Sequence, residues 1–157
     1  MLLAPSPALA ATTLGTTADL IDVVCSFPSQ DSVQLSSADP LVSYMVPGAG
    51  SITQWNTQSL GLPGSVGLQV WRLFAPATPT ALAQYQLVGS SPTVVPTGTA
   101  LTLTNPITVQ AGDMIGMRME GVVACGHRTG AVGDIWANAF GSNRGAQGLS
   151  LERTGCC

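Results

Sequence analysis

Apolar and polar residues alternate along much of this chain with a period of two. Tyr44–Val46 leads through Pro47-Gly48-Ala49-Gly50 into Ser51-Ile52-Thr53-Gln54-Trp55, which alternates as a half-buried strand does. Val66–Phe74 follows, with Val66, Leu68, Val70, Arg72 and Phe74 on one face and Gly67, Gln69, Trp71 and Leu73 on the other. Further strands are predicted at 84–90, 99–104, 107–109, 114–125 and 134–140. Gln110-Ala111-Gly112-Asp113 has the chemistry of a tight turn, with Gly at a position that needs positive φ. The stretch from Thr12 to Pro40 is polar and weakly patterned, and only Leu20–Cys25 reads as an edge strand.

About eight strands at regular spacing, with no helical period between them, predict an all-β chain: a two-sheet antiparallel β-sandwich or jelly roll. A chain of 157 residues can bury a core of its own without metal. Residues 11–157 are expected to form one domain, with a polar N-terminal segment (12–40) and a short C-terminal tail. No stretch of about 18 apolar residues exists to cross a membrane as a helix.

Charged residues make up only 8% of the chain, so Ser, Thr, Gln and Asn must cover its surface. The net charge of −3 and the lack of a basic cluster argue against nucleic acid and anionic lipid as partners. Residues 1–10, ending in Ala8-Leu9-Ala10 before Ala11, resemble the last part of a secretory signal; a flexible arm is the alternative. Cysteines at 25, 125, 156 and 157 lack zinc-site spacing. Their spread fits a disulfide framework in an oxidising compartment, with Cys25 and Cys125 as the natural pair and Cys156 and Cys157 undecided.

The order YMVPGAG, SITQW, LQVWRL, YQLVG, ITVQAGDMIGMR and then a cysteine resembles a group of small exported actinobacterial β-sandwich proteins of uncharacterised function, over residues 44–140. The resemblance implies a fold and an exported, extracellular location. A similar Gly-Asp turn occurs in phage decoration and tail modules and in carbohydrate-binding jelly rolls, and likeness of fold does not choose among them.

Catalytic signatures are sparse. His127 is the single histidine; a hydrolase would need it as base, with Asp113 or Asp134 to orient it, and no Gly-x-Ser-x-Gly elbow marks a nucleophile. For a glycosidase pair, Asp113, Glu120 and Asp134 are the available carboxylates. Asp113 and Asp134, with Glu120, Asn138 and Asn143, are oxygen donors of the kind calcium takes, but in no EF-hand spacing. No cofactor is expected. Core filling is the first reading of Trp55, Trp71, Trp136 and Tyr85; exposed on one face such rings would stack on sugars, which makes them the candidate ligand-binding residues, with Trp71, sharing a face with Gln69, the best candidate for exposure. Trp55 is expected on the face opposite Ile52.

These residues predict a non-enzymatic exported module, structural or binding, with carbohydrate as the ligand if there is one. A capsid decoration or assembly subunit of a phage or virus-like particle is the alternative, and a hydrolase the third reading.

Overall fold

A computed structural model of the chain describes residues 11–15, 21–36, 42–57, 61–81, 83–127, 135–139 and 143–150; within 21–23, 25–28, 124–127, 135–139 and 143–150 it describes the backbone alone. Eight strands follow in order: β1 (Ile21–Ser36), β2 (Gly50–Trp55), β3 (Ser65–Ala75), β4 (Gln84–Ser90), β5 (Leu101–Val109), β6 (Met114–His127), β7 (Ile135–Ala139) and β8 (Asn143–Ser150). The chain is all-β and every ladder is antiparallel. It forms two sheets. The larger closes on itself in the order β1-β6-β3-β4-β8-β7, and the smaller is β2-β5.

β3 is the central strand, and its residues explain why. Val66, Leu68, Gln69, Val70 and Trp71 are all buried, so both faces are covered over this stretch. On one face Leu68 and Val70 meet Val46, Ile107 and Val109, with Ile52, Trp55, Val88, Leu103 and Ile115 around them; this is the layer between the two sheets. Val66, Met119 and Val123 continue it. On the other face Trp71 packs with Val33, Tyr85 and Met114, residues drawn from strands of the closed sheet alone. Beyond Trp71 the strand leaves its cover: Leu73 and Phe74, which point to opposite faces, are both exposed, at 47% and 60%.

Two expectations need correction. The stretch 12–40 is more than a polar segment with a short edge strand, because Ile21–Ser36 is a long strand paired with both β6 and β7. Its apolar positions are few, but Val33 and Leu35 alternate with Ser32, Gln34 and Ser36, and Val33 is fully buried. Trp55 also does not oppose Ile52: both pack on the layer between the sheets. The β2–β5 ladder breaks between Ile52 and Gln54, where Ile52 faces Ile107 but Gln54 faces Thr102. Four residues of β5, Leu103 to Pro106, stand against Thr53 alone, and the period-two alternation restarts across this bulge.

Among the described residues no helix is long and apolar enough to cross a membrane.

Candidate functional site

The turn between β5 and β6 is built as its residues predict. Gly112 has φ +87°, in the region that only Gly enters without cost, and the Asp113 N–H donates to the Gln110 carbonyl at 3.2 Å. The fully buried Asp113 side chain closes the turn from within by accepting the Gln110 N–H at 2.9 Å. Arg72 on β3 completes the arrangement with a bidentate pair, Nε to Oδ1 at 2.7 Å and Nη2 to Oδ2 at 2.9 Å. Burial alone would push the Asp113 carboxyl up; the hydrogen bonds from Arg72 and from the Gln110 amide, with the Arg72 charge, outweigh it and hold the group below its ordinary range. Main-chain bonds then tie the 44–46 segment to the same place: Val46 N–H to Asp113 O, Gly112 N–H to Val46 O, and Ile115 N–H to Tyr44 O.

A second polar cluster links β1, β3 and β6. Asp31 is buried, and its Oδ1 accepts Gln69 Nε2 at 2.9 Å and Arg118 Nη1 at 3.2 Å. The same guanidinium reaches Glu120 through Nε at 2.8 Å and the Ser29 hydroxyl through Nη2 at 2.6 Å. Arg118 therefore braces the stretch of β1 beside its register shift between Phe27 and Gln30. Gln69 Oε1, also buried, has no hydrogen-bond partner among the described residues. Sequence reasoning missed this cluster because Asp31 lies in a stretch that looked unstructured, while Gln69 and Arg118 break otherwise apolar strands. A charged or amide residue inside an apolar alternation was the available signal.

Each buried carboxylate spends its acceptor oxygens on a guanidinium and on an amide group, so its lone pairs are engaged with the fold. Both oxygens of Asp113, a calcium candidate, are bonded by Arg72 and the Gln110 amide, and Asp134, the other candidate, lies outside the described residues. Among the described residues no group of three or more His, Cys, Asp or Glu could hold a metal ion.

Among the described side chains, Trp55, Trp71 and Tyr85 do not form an exposed platform. Trp71, the best candidate for exposure, is instead a core residue: it is fully buried, because its face of β3 lines the inside of the closed sheet rather than solvent. A Cβ on Gly116 of β6 would stand 2.7 Å from the Trp71 ring atoms Cδ1 and Nε1, so the indole lies directly over that glycine. Tyr85 is 9% exposed in the same cluster, and Trp55 is half-buried between the sheets. Trp136 is placed by backbone alone, opposite Gln34 on β1 and Leu149 on β8.

Cys25 and Cys125 fall on paired strands. The β1–β6 register sets Cys25 opposite Val123 and Cys125 opposite Val23, which makes the two positions diagonal neighbours. Cys156 and Cys157 lie outside the described residues, and His127 is placed by backbone alone at the end of β6, opposite Ile21.

Comparison with protein-family models, with curated proteins and with solved structures gave no match.

Proposed function

We propose that this chain is a non-enzymatic structural module, exported or borne on a virion, that works by packing against protein neighbours. One observation carries the reading. Between Asp39 and Asp113 the only charged residue is Arg72, and Arg72 is paired with Asp113. This span holds β2, β3, β4 and β5, hence the whole smaller sheet and the projecting end of β3. The other described charged side chains, Asp31, Arg118 and Glu120, also engage one another.

A surface without free charge can be covered at little desolvation cost, and the cores of protein interfaces are depleted in charged residues. Exposed Leu73 and Phe74 add apolar area at the end of β3, beside the Pro-containing loop that begins at Pro76. A carbohydrate platform has less support, since Trp71 and Tyr85 spend their rings on the core.

The test combines particle co-sedimentation and light scattering with a glycan array, comparing the protein with its Phe74→Ser variant. The expected result is self-association or retention on particles, weakened by Phe74→Ser, with no glycan bound. A strict monomer that ignores particles, or one that binds a glycan, would overturn the reading.

A further inference from the structure

Sheet edges are templates for strand addition, and natural proteins blunt them with charge, proline or bulges. The larger sheet closes on itself, so none of its strands is left without a partner along one whole side. Where β3 runs past β4, the 91–94 segment covers it: Val66 and Val94 exchange N–H to carbonyl bonds at 2.8 Å, and the Leu68 N–H donates to the Ser91 hydroxyl. The smaller sheet has two edges. That of β5 is blunted by Pro106, which has no N–H to give, and by the extra residues that bulge against Thr53.

The edge of β2 has none of these devices. Gly50-Ser51-Ile52-Thr53-Gln54-Trp55 contains no proline and no charge, and the strand pairs with β5 on one side only. Its outward N–H and carbonyl groups have no backbone partner among the described residues. Ser51, Thr53 and Gln54 are exposed, and the apolar Ile52 and Trp55 are turned to the layer between the sheets.

We infer that β2 is a self-pairing edge: two copies of this chain join through their β2 strands, antiparallel across a two-fold axis, into a continuous β5-β2-β2-β5 sheet. A second copy is the occupant that the chemistry favours. An isologous antiparallel contact sets each residue against the one mirrored through the two-fold axis, so a charge at or beside the axis meets its own like. The stretch 42–57, which holds β2 and its flanks, has no charge at all. The alternating faces also match: Ser51, Thr53 and their copies extend a hydroxyl-bearing outer face that β5 continues with exposed Thr102, Thr104 and Thr108. This inference rests on the assembly reading above and names the contact that begins it.

The test is sedimentation equilibrium of the full chain over a wide concentration range, with Thr53→Lys and Thr53→Glu made separately. The expected result is a dimer for the native chain and a dimerisation constant weakened about tenfold or more by either variant alone. An equal mixture of the two variants should restore association as a mixed dimer, which a general loss of structure would not do. Ser51→Lys serves as the second variant if Thr53→Lys lowers the unfolding midpoint. A native chain that stays monomeric overturns the inference, as does a dimer indifferent to both lysine variants. If association is instead lost in Phe74→Ser and kept in Thr53→Lys, the assembly reading stands and the β2 contact falls.

Discussion

Replacing Trp71 by alanine separates a core tryptophan from a sugar-stacking one. The side chain is fully buried among Val33, Tyr85 and Met114. A tryptophan buries about 150–250 Å², so the transfer of that surface is worth roughly 4–6 kcal/mol at about 25 cal/mol per Å². Large-to-small changes of this kind cost about 3–5 kcal/mol once the surroundings relax into part of the cavity. For a chain of this size each 1 kcal/mol moves the thermal midpoint by roughly 2–4 °C, so a loss near 4 kcal/mol gives a fall of about 8–16 °C. Thermal unfolding followed by far-UV circular dichroism measures it, and Trp71→Phe, which keeps a ring in the site, should fall less. A midpoint within about 2 °C of the native one would refute the reasoning, because a surface ring is removed without opening a cavity.

Two further outcomes follow from the same contacts. Gly116→Ala, which in an ordinary strand interior is stabilising by roughly 0.5–1 kcal/mol, should here destabilise by about 1–3 kcal/mol. The new Cβ meets the Ser32 carbonyl oxygen and the Trp71 ring, and denaturant unfolding gives the sign directly. Asp113→Asn should lower the midpoint at neutral pH and flatten its fall in acid. The Asp113 carboxyl lies below its ordinary value of 3.8 in the folded chain, so the unfolded state takes up the proton first as pH falls. The stability it contributes is therefore complete above that value and is lost as pH falls through the lower, folded one. Parallel midpoint-against-pH curves for the two proteins would count against the buried pair.

Much of the architecture was legible from local pattern. The β3 sequence is an apolar run of strand length, and Gln110-Ala111-Gly112-Asp113 carries the positive-φ glycine that its turn uses. Both features depend on neighbours in sequence, through the length of an apolar run and the steric freedom of one glycine. The strand at 21–36 was harder to see, because only Val33 and Leu35 mark its buried face in the stretch that follows Pro28. Asp31 gave no sign of burial, since the groups that make it tolerable, Gln69 and Arg118, come from β3 and β6.

What the sequence determined by itself is therefore the class of structure, all-β and antiparallel, together with a surface from which charge is nearly absent. Tertiary structure alone decided which side of each strand is inside. Alternation says that Trp71 and Val70 point to opposite faces, but it does not say that both faces are covered. The closed sheet covers one and the β2–β5 sheet the other. Ile52 and Trp55 likewise pack on one side, across a break in the β2–β5 register that belongs to the pairing of two strands and is written in neither. Burial and register are properties of what lies next to a strand, and that is settled only when the sheets close and stack.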